Sequence, residues 1–194
     1  MKRFGLLAPL AALAMLPGCL GGARVPDALL TLSPMASRPA AQPRTAGAGQ
    51  AITVTTPGTP RALATSRVPV YVDGTTIQYL AGAQWVAPPA DLLRGLVSET
   101  IAARTNLAVL DPSLYTQAPT AVLSGQLLRF GLDPNGQDVV IDYECALSRP
   151  DQAVVTNRFS ARVPVADESP AAVAAALNDA ANQVAAEVAA WVGS

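Results

Sequence analysis

Three consecutive segments in the C-terminal half alternate apolar and polar residues and are divided by turn-forming clusters, and this pattern limits the fold more than any other feature. Ala121 to Phe130 runs into Asp133-Pro134-Asn135-Gly136, Asp138 to Leu147 follows, and Arg149-Pro150-Asp151 leads into Ala153 to Val163. Proline presets one turn angle, and glycine and asparagine accept backbone conformations other residues avoid, so each cluster reverses the chain. Val139, Ile141, Tyr143, Cys145 and Leu147 share one face of the second segment; Val155, Phe159, Ala161 and Val163 share one face of the third. A period of two with a single apolar face describes an antiparallel meander covered on one side.

The cover comes from two segments of helical spacing. Pro88-Pro89 precedes a helix over Ala90 to Arg104, with Leu92, Leu93, Leu96, Val97 and Ile101 on one face and Asn106 as its C-terminal cap. Ser169-Pro170 opens a second helix, capped by the serine, whose stripe is Val173, Leu177, Val184, Val188 and Trp191. Short strands are expected at Ala28 to Leu32, Ile52 to Thr55, Val68 to Val72, Thr76 to Leu80 and Leu107 to Leu110. Asp73-Gly74 predicts a two-residue type I′ hairpin. Ser33 to Gln50, rich in Pro, Ala, Gly and Ser without apolar period, reads as a loop. The sum is a single α+β domain: a mixed, mostly antiparallel sheet with two main helices packed on it, for which the chain's length suffices.

The first 18 residues lie outside that domain. Lys2 and Arg3 form a basic start, Phe4 to Leu16 supplies about 13 mostly apolar residues, and Leu16-Pro17-Gly18-Cys19 follows. An apolar stretch of that length is an export signal, too short to cross a bilayer. Only Gly18 is small before a cysteine, an arrangement that resembles a lipobox: cleavage falls between Gly18 and Cys19, and Cys19 receives diacylglycerol and an N-acyl chain such as palmitate. Residues 1–18 are then signal, 19–28 lipidated tether and 29–194 the domain, with 33–50 its loop. If Leu29 to Leu32 joins the sheet, residues 20–27 tether it, at most about 26 Å of chain at ~3.3 Å per residue. If it does not, the tether grows to about 30 residues and on the order of 100 Å. The shorter tether is the reading adopted. Leu20 is not the Asp that holds lipoproteins at the inner membrane, so an outer-membrane anchor facing the periplasm is expected.

The missing residues narrow the chemistry. There is no histidine, and Lys2 is the only lysine. This removes Ser-His-Asp and Cys-His catalysis, Schiff bases, the phosphate-binding lysine of a P-loop and histidine-containing metal sites; no metal or catalytic residue is expected, and the reading is that the protein is not an enzyme. The formal net charge of −1 becomes more acidic when Lys2 and Arg3 leave with the signal, which argues against nucleic acid as a partner. Asp138, Asp142 and Glu144 share a strand face, but matching apolar faces across the Pro150 turn brings Arg158 opposite Asp142 or Glu144, depending on register. Such pairs are ordinary surface chemistry. Cys145 is expected to be buried and inert. Trp85, between the hairpin and the first helix, is a candidate contact for a partner or a lipid chain, weighed against closing the core's edge.

Several of these features together resemble the ABC-type transport auxiliary lipoprotein family, the PqiC-like lipoproteins, over about Leu29 to Val192. They are the lipobox with a short strand after it, an Ile-x-Val strand, Arg67-Val68-Pro69-Val70, the Tyr79, Trp85 and Pro88 spacing, and a meander opening on Ser124-Gly125-Gln126-Leu127. Leu29-Leu30 stands where that family tends to have tyrosines. The resemblance implies a fold reminiscent of the N-terminal domain of TolB. It also implies a non-catalytic partner of an ABC transporter whose periplasmic subunit carries mammalian cell entry (MCE) domains and moves phospholipid or other hydrophobic molecules. A homo-oligomer matching such an assembly is one arrangement it allows. The alternative is a lipid-binding lipoprotein that shields an acyl chain itself, in a groove between helix and sheet.

Overall fold

The computed structural model describes residues 28–37, 47, 50–111 and 121–194. Its organising element is a long strand, β5 (Ala121–Asp133), that carries partners on both edges. On one side it pairs antiparallel with β6 (Asp138–Ser148), which pairs antiparallel with β7 (Val155–Pro164). The other edge is shared end to end. β1 (Ala51–Val54) pairs parallel with Ala121 to Leu123, Gly58 bridges to Gln126, and β2 (Arg67–Tyr71) pairs parallel at Leu132. β3 (Ile77–Gln84) returns antiparallel on β2, and β4 (Ala108–Val109) lies parallel on β1. The sheet is therefore mixed, with its long ladders antiparallel, and the fold is α+β.

Two helices, α1 (Pro89–Arg104) and α2 (Pro170–Val192), pack against each other and against the sheet. The cap at Ser169 forms as its sequence predicts: the Ser169 hydroxyl accepts from the Ala172 amide at 3.3 Å. Five alanines of α2 (Ala176, Ala180, Ala181, Ala185 and Ala189) are buried, so the helix backbone approaches the sheet closely. Ile141, Tyr143, Cys145 and Leu147 from β6 meet Val173, Leu177, Val184 and Val188 in one continuous core.

Local geometry departs from the sequence reading in several places. The Asp73-Gly74 turn is not a two-residue type I′ loop, since Gly74 does not have positive φ. The Asp73 carboxylate instead accepts from the amides of Thr75 (2.8 Å) and Thr76 (2.7 Å), organising a longer loop. β3 runs on past Leu80 to Gln84 because Gly82 takes φ 71, where the β2–β3 register shifts. The cap of α1 is Thr105 rather than Asn106: its hydroxyl and amide both donate to the Ile101 carbonyl. Val155 is half-exposed and does not share the core with Phe159 and Ala161, although its cross-strand partner Leu147 is buried, because β7 begins there as the outer strand with no further strand beside it. The Ala28 to Leu32 strand reduces to a single parallel bridge, Leu30 to Trp85.

The β5–β6 turn places its positive φ on Gln137 (51°) and not on Gly136. A left-handed backbone costs a side-chain-bearing residue about 1–2 kcal/mol. Gln137→Gly should therefore raise unfolding free energy by about 0.5–1 kcal/mol, and Gly82→Ala should lower it by about 1–2 kcal/mol. Urea unfolding at constant m-value reads both.

Candidate functional site

The N-terminal end of the domain is built by residues far apart in sequence. The Leu30 amide donates to the Gln84 carbonyl (2.7 Å) and the Val86 amide to the Leu30 carbonyl (2.9 Å), which fixes the incoming chain at the edge of the sheet. From there it crosses onto α2 as a strap. The Ser33 amide donates to Asn178 Oδ1 and the Met35 amide to Asn182 Oδ1, both at 2.8 Å, while Asn182 Nδ2 donates to the Ser33 carbonyl at 2.9 Å. Asn178 and Asn182 are one helical turn apart, so both side chains project along the same line. Asparagine is a poorer helix former than the alanines around it. Its presence here is explained by the strap: each amide substitutes for the sheet ladder that the strap lacks. The first part of the segment expected as loop, Ser33 to Ser37, is thus partly fixed on the protein surface; Cys19 and Gly18 lie outside the described residues.

Trp85 stands next to this junction and is 1% exposed. It packs edge-on against Phe130 at 5.6 Å between ring centroids, and its amide donates to the Ser66 carbonyl at 2.7 Å. It offers no surface to a partner or lipid chain, and that role is corrected: the parallel bridge to Leu30 turns the indole inward. The residues that carried the family resemblance meet here. The Arg67 guanidinium lies over the Tyr79 ring at 4.0 Å, Arg67 sits opposite Gln84 in the hairpin, and Pro88 sets the start of α1. Ser124-Gly125-Gln126-Leu127 also has a physical basis, because a Cβ on Gly125 would run into the Glu144 carbonyl across the ladder.

On the helix-free face of the sheet, two members of the acidic row, Asp138 and Asp142, are paired with arginines. The β6–β7 register places Arg158 opposite Glu144, yet its guanidinium reaches diagonally to Asp142 at 3.6 Å. Ser160 also donates to Asp142 (2.5 Å), and Arg162 pairs with Asp138 at 3.0 Å and with Asp133 at 3.5 Å. Burial would raise the Asp133 carboxyl, but hydrogen bonds from Arg129 and Arg162 hold it below the usual range. Among the described residues no group of three or more His, Cys, Asp or Glu side chains is placed to hold a metal. Cys145 is buried on the opposite face, and burial, aided by the Glu144 charge, pushes its thiol up to about 12.

Among the described residues, Leu93, Ile101, Leu177, Val184 and Val188 fill the space between helices and sheet, where an acyl chain would have to enter. A cleft of about 640 Å³ opens at the helices' C-terminal ends and is lined by Arg104, Thr105, Asn106 and Arg149 among others. Its walls are polar, and Arg149 there donates to the Val192 carbonyl at 3.0 Å. Among the described residues no helix is long and apolar enough to cross a membrane.

Two outcomes are expected. Asn182→Ala gains about 0.5 kcal/mol of helix propensity and loses side-chain hydrogen bonds worth about 1 kcal/mol each. Global stability should fall by about 1–2 kcal/mol, and hydrogen exchange at the Ser33 and Met35 amides should accelerate about tenfold or more relative to β6. For Cys145, a thiol reagent at about pH 8 should label the folded protein at least a hundredfold more slowly than the unfolded chain.

The comparisons with known proteins agree with this architecture. A crystal structure of a Xanthomonas campestris protein assigned to DUF330 superposes with a TM-score of 0.71 at 24% identity, covering 85% of this chain and 94% of that one. A second solved structure, of an uncharacterised protein, gives 0.65 at 16% identity over 74% and 92% of the two chains. No protein of curated function matches. The family model of the ABC-type transport auxiliary lipoprotein component matches residues 30–189, from the strap's first sheet contact to the last turn of α2, and the chain belongs to that family.

Proposed function

We propose that this protein is the outer-membrane-anchored, periplasm-facing auxiliary lipoprotein of an MCE-type ABC transport system for phospholipid or other hydrophobic molecules, and that it docks the periplasmic MCE assembly to the membrane. The observation that carries the reading is the family match over residues 30–189, joined to Leu16-Pro17-Gly18-Cys19 a short distance upstream. The family implies a role beside the transporter without catalysis of its own. Cys19 would carry diacylglycerol and an N-acyl chain. Each buried methylene adds about 0.8 kcal/mol, so several chains anchor durably where one is marginal. The packed helix–sheet interface favours docking over the alternative of shielding an acyl chain within the domain.

Mass spectrometry of the membrane-extracted protein should show a triacylated N-terminal Cys19, and separated membranes should place it in the outer fraction, crosslinked to an MCE-domain protein. Cys19→Ala should remain folded and leave the membrane fraction. An unlipidated, soluble wild-type protein would overturn the anchor; a lipidated protein that never crosslinks to an MCE protein would overturn the partnership.

A further inference from the structure

We propose that Leu29 and Val86 form a lipid-contact patch that seats this end of the domain on the membrane surface. The proposal rests on the anchored reading above. The parallel bridge between Leu30 and Trp85 places those two side chains on the core face. Their chain neighbours Leu29 and Val86 flank that bridge and lie outside the core. They are 49% and 53% exposed, respectively. Thr31 and Gln84 flank the bridge in the same way, and Arg67, opposite Gln84 in the hairpin, adds a guanidinium beside them. A lipid surface can accept the two aliphatic side chains while the guanidinium stays among the headgroups.

Chain length selects the occupant. The strap contacts fix Leu29 as the domain's point of entry, and residues 20–28 alone separate it from Cys19, a reach of at most about 30 Å. This is therefore the part of the domain that stays nearest the bilayer. Other exposed large apolar residues lie elsewhere: Met35 is on the strap where its amide binds Asn182, Ile77 begins β3 at the strand's far end, and Val154 and Val155 lie at β7, across the sheet. A stable protein interface buries roughly 800 Å² per partner, far more than one leucine and one valine can supply. Two aliphatic side chains are enough to dip into a headgroup layer when an anchor already holds the protein there.

The test uses the full lipidated protein on vesicles of phosphatidylethanolamine and phosphatidylglycerol, spin-labelled through Leu29→Cys, Val86→Cys or, as a control, Val154→Cys. Labels at positions 29 and 86 should show several-fold more collision with dissolved oxygen and several-fold less with an aqueous nickel chelate than the label at 154. If the protein floats with the vesicles and all three labels are equally aqueous, the patch is overturned and the anchor stands. A protein that does not float overturns the anchored reading and the patch with it. Spin–spin broadening at positions 29 and 86 that persists in detergent would make a second copy the occupant and likewise overturn the lipid assignment.

Discussion

Docking of α2 on the meander is the interaction on which the rest of the structure depends. The helix contacts β3, β5, β6, β7 and α1, and it holds the strap through Asn178 and Asn182. The meander is local in sequence and closes through two short turns, so its ladders can form at low loop entropy. A sheet with one bare apolar face is nevertheless unstable in water. The alanine-rich face of α2 resolves that by bringing a helix backbone close to the sheet over 23 residues. Because the helix ends the fold and the strap begins it, the strap's contacts with α2 depend on completion of the domain.

The same arrangement explains why the two faces of the sheet differ so sharply. The helix-covered face holds its cysteine in a form that does not ionise near neutrality. The bare face carries arginines and carboxylates that satisfy one another across β5, β6 and β7. Exposed pairs of this kind contribute about 0–1 kcal/mol each, so their effect on stability is slight. Their larger effect is to keep an uncovered sheet face charged and disinclined to stack on another.

The meander, both helices and the Ser169 cap were legible in the sequence because each is encoded by local periodicity or by one residue's chemistry. Arg158's neighbours were legible to within one register, since pairing is constrained by the faces on either side of the Pro150 turn; its diagonal reach to Asp142 was not, because side-chain length decides it. The bulge at Gly82 was not legible either, as a glycine within a strand pattern announces an irregularity without its type. Trp85 illustrates the limit most clearly. Its sequence neighbours leave both an exposed contact and a place at the core's edge open, and the pairing with Leu30, 55 positions away, shows which holds, with Trp85 inward and Val86 outside. The asparagines of α2 carried no signal, because a polar residue in a helical stripe is meaningful only once its partner strand is known.

In the proposed anchored state, the lipid and the strap act in series, and their strengths are unequal. Acyl chains hold the membrane at about 0.8 kcal/mol per methylene, whereas the strap is held by a few hydrogen bonds worth about 1 kcal/mol each and by partial burial of Leu30 and Leu32. Tension along the chain would therefore release the strap from α2 before it drew the lipid from the bilayer. With the strap bound, residues 20–28 span at most about 30 Å; with the Leu30 bridge and the strap both released, the free chain lengthens to an extent on the order of 100 Å. The separation between membrane and domain is thus governed first by the Leu30 bridge and behind it by the hydrogen bonds of Asn178 and Asn182, side chains remote in sequence from the lipid they help to position.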